Sequence, residues 1–361
     1  MAHFRGIILA TRNHTFMAKN LINPPISRQE RKERVFRDGV ARKTLSFYRY
    51  VRIAKPERFR DELFSKLNEL GCLGRIYVAS EGINAQMNVP EKNWAEFDKY
   101  IQSLPELIEI PYKIAVEESA PSSFYKLTVK VKDKIVADGL TDELFDVTQP
   151  GEYLSAKEIN EYVNDPDAII VDMRNGYEYE IGHFENAIGF DVDTFREELA
   201  ITPEKLRIHQ NKKVALYCTG GIRCEKASAW LKHNGFKDVK HLKGGIIDYA
   251  HQVKEQGLEN KFKGKNFVFD ERLGERISDE IISTCHLCAK EKSDTHYHCH
   301  NQACHVLFLG CEGCIEKKKG YCSYKCMTFD KLPLRVKKLL TRNNHSKKLE
   351  QFKKHRLKSK I

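Results

Sequence analysis

The chain has 361 residues, 41% hydrophobic and 31% charged, which is too long for one ordinary core and predicts two or three domains. No apolar run approaches the roughly 18 residues that a membrane span needs. The N-terminal Gly6-Ile7-Ile8-Leu9-Ala10 is too short for a signal-peptide core, so secretion is not expected and a reducing cytoplasm is the default location. The net charge of +11 is concentrated at one end: residues 331–361 hold twelve Lys/Arg and a single acid, Glu350, while the preceding 330 residues balance. Such a basic tail is a handle for a polyanion, most often nucleic acid, or else a solvated, partly helical solubilising segment.

Residues 1–44 read as a basic extension. Pro24-Pro25 breaks any helix, and Arg28 to Lys43, with seven basic and three acidic residues, reads as a frayed helical lead-in. A domain spanning 45–146 follows. Leu45 to Ile53 is predicted as a strand, with Phe47, Tyr48 and Tyr50 its aromatics. Pro56 opens a helix with an apolar stripe of Phe59, Leu63, Leu67 and Leu70, ended by Gly71. Gly74 to Ala79 and Ile83 to Val89 are strands around the turn-like Ser80-Glu81-Gly82. Trp94 to Leu104 is a second helix, and Tyr112 to Val116 and Phe124 to Val136 supply further strands. This β-α-β-β-α-β order is the split βαβ arrangement and resembles acylphosphatase-like (ferredoxin-like, α+β) domains. The aromatics of the first strand read as core and surface residues, with base stacking the alternative. Val147 to Gly151 is a linker to an α/β domain at 150–257. There Ala168 to Val171 and Val214 to Tyr217 are continuous apolar runs suited to buried parallel strands, and each precedes a loop with polar or reactive residues.

The second of these loops carries the chemistry. Cys218-Thr219-Gly220-Gly221-Ile222-Arg223 joins a strand to a helix with Ala227, Trp230 and Leu231 apolar. Gly220-Gly221 lets the backbone fold back so that the amides of Thr219 to Ile222 point inward. Those donors, the helix N-terminus and Arg223 favour an anion, so a Cys218 thiolate should be stabilised and nucleophilic. An inert buried cysteine would explain neither the glycine pair nor the arginine. Cys224, at the start of the helix, is an accessory thiol able to resolve a sulfenate or persulfide, or else a small residue packed on the sheet.

With these residues in view the segment resembles a rhodanese. Asp172-Met173-Arg174 matches that family's acid-x-Arg, Gly182 to Ala187 its Gly-His-Ile-x-x-Ala turn, and Leu242-Lys243-Gly244-Gly245 its late Leu-x-Gly-Gly turn. In rhodaneses the loop cysteine carries a persulfide, which implies that role for Cys218. Phosphatases of the same fold use Cys-x5-Arg. Here the arginine comes at position five and Cys224 at six, so the loop is one residue too short for phosphate. Across nearly the whole chain, Tyr217 to Lys226, Gly264 to Arg272 and Glu81 to Ala85 are similar to the bacterial tRNA uridine hydroxylases. That resemblance implies an acylphosphatase-like domain, a rhodanese domain with a parallel sheet and a cysteine-rich segment. It also implies oxygen-dependent conversion of the tRNA wobble uridine to 5-hydroxyuridine, with tRNA as partner.

Residues 258–330 hold the remaining pattern: Cys285-x2-Cys288-x10-Cys299-x4-Cys304, then Cys311-x2-Cys314-x7-Cys322-x3-Cys326. Closely spaced pairs converge on one tetrahedral ion, and eight sulfurs suffice for two structural zinc ions, sequential or cross-braced. His286, His296, His298, His300 and His305 are reserve ligands, and an iron–sulfur cluster is the alternative, although the spacing matches none of its established patterns. No flavin, haem or nucleotide motif is evident. The leading expectation is a tRNA uridine hydroxylase working through Cys218. Its rivals are a sulfurtransferase that receives sulfur from a donor protein and a non-catalytic RNA-binding scaffold.

Overall fold

A computed structural model describes residues 27–117, 123–140, 146–147, 149–337 and 356–357. Most of the basic tail and the Pro24-Pro25 segment lie outside these residues. Helix α1 (Arg28–Asp38) is capped by Ser27, whose hydroxyl accepts from the Glu30 amide at 3.1 Å, and it buries none of its residues.

The N-terminal sheet contains β1 (Arg42–Tyr50), β2 (Leu73–Ala79), β3 (Gly82–Pro90), β4 (Lys113–Ile114) and β5 (Leu127–Val131) in the order β4-β1-β3-β2-β5. Helices α2 (Pro56–Glu69) and α3 (Trp94–Ser103) cover one face, burying Leu63, Leu67, Phe97 and Ile101 against Leu45, Phe47, Ile76, Ala85 and Met87. Strand alternation then turns Ser46, Tyr48, Arg75, Tyr77, Asn84 and Gln86 to the opposite face. The first strand starts earlier and ends earlier than Leu45 to Ile53. Its register with β3 runs from Arg42↔Pro90 to Tyr50↔Gly82, after which the Val51 and Ile53 amides bond the Glu81 and Ser80 carbonyls of the turn. The strands expected at 112–116 and 124–136 shorten to β4 and β5.

In the second domain β6 (Glu152–Leu154), β7 (Ala168–Asp172), β9 (Lys213–Tyr217) and β10 (Asp238–Leu242) form a parallel sheet of order β6-β10-β9-β7. Helices α4 (Ala156–Asn164), α5 (Gly176–Ile181), α6 (Phe195–Lys205) and α7 (Ile222–His233) lie between its strands, and α8 (Gly245–Gln256) follows the last of them. Strand β8 (Gly182–Phe184) pairs with β11 (Phe262–Asn266), which continues to β12 (Glu275–Arg276). The cysteine-rich segment is a hairpin, β13 (His296–His298) and β14 (Leu307–Leu309), followed by α9 (Glu312–Lys318) and α10 (Tyr324–Asp330). One residue of the basic tail, Arg356, is buried and pairs with Asp191 and Asp193. Among the described residues no helix is long and apolar enough to cross a membrane.

The two domains meet over α7. The buried Lys226 ammonium lies 2.5 Å from Asp138 and 3.0 Å from Glu81, both carboxylates coming from the N-terminal domain. Glu81 also accepts the Ile135 amide, and the Tyr50 hydroxyl donates to the Ile222 carbonyl at 3.3 Å. Removing one partner of a buried ion cluster strands the others. Lys226→Met should therefore destabilise the protein by about 3 kcal/mol in a denaturant titration. A loss under about 1 kcal/mol would show that the ions contribute little beyond their own solvation.

Candidate active site

Cys218 leaves the C-terminal end of β9 in the middle of the parallel sheet, where an α/β fold presents its strand-end loops. Gly221 turns the chain into α7 with φ 98°, a conformation costly for other residues, and any Cβ there would lie 2.7 Å from the Tyr48 hydroxyl. Its amide donates to the Cys218 sulfur at 3.1 Å. The first amides of α8 hold the loop from behind, Ile246 N–H donating to the Cys218 carbonyl and Ile247 N–H to that of Thr219.

Burial raises the Cys218 pKa. The Cys224 thiol, the Arg223 charge and the Arg223 and Gly221 amides more than offset this and hold it at about 5, against an ordinary 9. Burial and the neighbouring sulfur push the Cys224 thiol up instead, so near neutrality Cys224 stays protonated and donates to a Cys218 thiolate. The loop amides expected to converge on the sulfur divide their work. Those of Gly221 and Arg223 reach it, Thr219 uses its hydroxyl to bond Glu178 at 3.4 Å, and Gly220 lies beneath the Lys113 side chain.

Arg223 departs from the expectation of a guanidinium aimed at the sulfur. Its fork donates to both oxygens of Glu178, at 2.7 and 2.9 Å, and Glu178 is completely buried on α5. Arg223 therefore contributes charge at a distance while the bidentate pair fixes the loop. A second buried pair, Arg174 with Asp172 at 2.7 Å, stiffens the end of β7, and Arg174 also donates to the Gly182 carbonyl.

Several site residues escaped sequence reasoning. Above the loop the open face of the N-terminal sheet closes a cavity of about 370 Å3, lined by Tyr48, Arg75, Gln86, Lys113 and Phe269 together with Cys218. Glu225 on α7 accepts from Tyr48 at 3.1 Å and from Tyr153 at 2.8 Å. Although burial opposes its ionisation, His241 and the two tyrosines hold its carboxyl below the usual range. Glu178 and Lys113 belong to no motif, and Glu225, though inside the Tyr217 to Lys226 segment, carried no predicted role. The aromatic run of the first strand was the one visible signal, and it divides as the alternation requires, Phe47 into the core and Tyr48 onto the cavity.

The eight cysteines of the C-terminal segment form two four-sulfur groups, Cys285, Cys288, Cys311 and Cys314, and Cys299, Cys304, Cys322 and Cys326, the sulfurs of each within 4.8 Å of one another. The pairs interleave along the chain, so the arrangement is cross-braced. The sulfurs of Cys304 and Cys322 are 3.8 Å apart and those of Cys322 and Cys326 3.6 Å. A tetrahedral ion with metal–sulfur bonds of about 2.3 Å needs sulfurs about 3.8 Å apart, so both groups fit a metal ion. Among the described residues no histidine belongs to either: His286 bonds Glu180 at 2.7 Å, His298 stacks on His305, and His300 packs on Tyr321.

The Cys224 contact yields a test. Alkylation of Cys218 by iodoacetamide, read from its own peptide by mass spectrometry, should reach half its maximal rate near pH 5. Cys224→Ala removes the thiol donor and should move that midpoint upward by about 1 pH unit, whereas Cys224→Ser keeps a donor and should move it less. Equal midpoints in all three proteins would remove Cys224 from the activation of Cys218.

Models of three families match the chain: the UPF0176 acylphosphatase like domain over residues 42–135, the rhodanese-like domain over 155–252 and the rhodanase C-terminal over 263–327. Proteins named tRNA uridine(34) hydroxylase are similar over most of the chain. The one from Leptospira interrogans is 54% identical over 302 residues, covering 84% of this chain and 82% of that protein. The one from Enterobacter sp. is 50% identical over 309 residues, covering 85% and 88%. That of Escherichia coli O81 is 51% identical over 302 residues, covering 83% and 86%.

Proposed function

Because the chain belongs to the tRNA uridine(34) hydroxylase family, we propose that it hydroxylates the wobble uridine of tRNA to 5-hydroxyuridine, with Cys218 as its reactive residue and molecular oxygen as co-substrate. The observation that carries this reading is the position of Cys218, an acid-shifted thiol on the floor of a cavity shared by two domains. A base must leave its stack to meet an enzyme's reacting group, and an anticodon-loop uridine is extruded at low cost. The cavity supplies aromatic walls in Tyr48 and Phe269 and hydrogen-bonding groups in Gln86 and Arg75. The basic tail at 331–361 supplies charge for the tRNA backbone, apart from Arg356, which is committed to Asp191 and Asp193, and Lys337, which pairs with Asp330. A cytoplasmic location agrees with a tRNA substrate.

In this reading Cys218 carries the sulfur chemistry, the Gly221 and Arg223 amides hold its negative charge, Arg223 with Glu178 fixes the loop, and Cys224 donates to the sulfur. The same geometry serves sulfur transfer, because a persulfide on Cys218 would be held by the same amides and would need a sulfur-donor protein. A scaffold without catalysis leaves the acid-shifted thiol unexplained. Nucleoside mass spectrometry of tRNA from a deletion strain complemented with Cys218→Ser should find no 5-hydroxyuridine while tRNA binding is kept. Loss of a thiolated nucleoside instead would assign sulfur transfer, and full product from the variant would remove the thiol from the reaction.

For the two four-sulfur groups we propose structural zinc, a role in keeping with ligand sets made entirely of thiolates and with no fourth position open to water. The purified chain should then contain about two zinc ions. Cys288→Ser should lose one of them and expose the surrounding segment to protease, since binding energy at such sites is also folding energy. A metal-free chain that stays folded and protease-resistant under reducing conditions would contradict this.

A further inference from the structure

Lys113 opens the edge strand β4 directly opposite Ser46 of β1, and residues facing each other across an antiparallel pair project to the same side. That side is the cavity. Only 5% of Lys113 is exposed, and among the described residues it forms no ion pair and no hydrogen bond through its ammonium. Its Nζ lies 4.9 Å from the centre of the Tyr48 ring, and its Cδ would lie 3.4 Å from a Cβ placed on Gly220. The aliphatic stem is buried while the residue lines the cavity, so the ammonium brings positive charge to that space with no carboxylate in hydrogen-bond reach among the described residues. Every other buried cation of the interface is spent: Lys226 on Asp138 and Glu81, Arg223 on Glu178, and Arg272 on Asp270 and Glu275.

We propose that Lys113 is a positioning residue for Cys218, the cation that the N-terminal sheet lends to the thiol loop to hold negative charge on the sulfur. This rests on the reading of Cys218 as the reactive thiol and adds a second domain to its activation. The charged and titratable groups around Lys113 define the balance. Asp248 and Lys243 face it from α8 and the turn before it, Glu225 from α7, Cys218 from the loop and Tyr48 from β1, while His251 of α8 bonds the carbonyl of Ile114. Glu225 is already held by His241, Tyr153 and Tyr48, and burial raises the Asp248 pKa, which weakens it as a counter-ion. Burial lowers the Lys113 pKa in turn, and the Asp248, Cys218 and Glu225 charges oppose that fall. The sulfur anion is the one charge here that the chemistry itself requires.

The test uses the full chain and the rate of Cys218 alkylation by iodoacetamide between pH 4 and 9, with Lys113→Met and Lys113→Arg. Met preserves the volume of the buried chain and removes the charge. Its midpoint should move upward by about 1 pH unit, and Arg should stay near the wild-type value. The thermal midpoint of Lys113→Met should equal or exceed that of the wild type, because no ion pair or hydrogen bond among the described residues goes with the charge; a residue needed only for structure would lower it. An unchanged alkylation midpoint in Lys113→Met overturns the proposal, and if tRNA affinity falls at the same time the charge serves a nucleotide phosphate instead. Wild-type protein with no reactivity below the ordinary thiol range would instead remove the premise about Cys218, a failure visible before any variant is compared.

Discussion

The structure depends on a single buried ammonium placed between two domains. Lys226 stands one turn into α7, two residues beyond Cys224, and it satisfies Asp138 and Glu81 of the N-terminal domain at once. Desolvating one lysine and two carboxylates is repaid only when the geometry is close, and here both contacts are 3.0 Å or shorter. Tyr48 and Tyr50 add hydrogen bonds to the same turn of α7, to Glu225 and to the Ile222 carbonyl. Those contacts fix the open face of one sheet against the thiol loop of the other domain. The cavity is the space they leave.

Charge is distributed across this interface with economy. The loop must keep an anion where burial alone would protonate it, yet its obvious cation, Arg223, is bound to Glu178 by both arms of its fork. That pair makes a rigid floor and leaves a reduced field at the sulfur. Amides and a neighbouring thiol supply part of the remainder, because dipoles fixed by the fold need no reorganisation when charge appears. Cys224 suits this role because a protonated thiol beside a thiolate donates without adding net charge.

The thiol loop was legible because its signal is local. A strand, a cysteine, two glycines and a helix fall within twelve residues, and each constrains the others through backbone geometry alone. The split βαβ order was legible for a related reason, since apolar periodicity records which face meets the helices. Strand ends were not, because they are set by register with a partner: β1 begins at Arg42 only because β3 continues to Pro90. The roles of Glu178, Glu225 and Lys113 were invisible for a stronger reason. Each is an ordinary charged residue in sequence and becomes notable only when burial removes its water, and burial is decided by distant segments. The cysteine spacing named eight ligands and left sequential and cross-braced pairing equally open. The β13–β14 hairpin decides between them by bringing Cys285 and Cys288 to the start of α9, and Cys299 and Cys304 to Cys322 and the first turn of α10.

A site divided between two domains has a consequence for how it works. Neither domain alone retains the cavity: the second domain holds the thiol and its amides, while the N-terminal sheet holds the wall and Lys113. A thiol activated wholly by its own loop would react with any small electrophile that reached it, whether or not substrate was present. Beneath a second domain the same sulfur has no exposed surface and meets only what enters a space of about 370 Å3. With Cys218 as the proposed reactive thiol, reactivity and access would be controlled by the same contact surface, and the buried ions at Lys226 would bear on both.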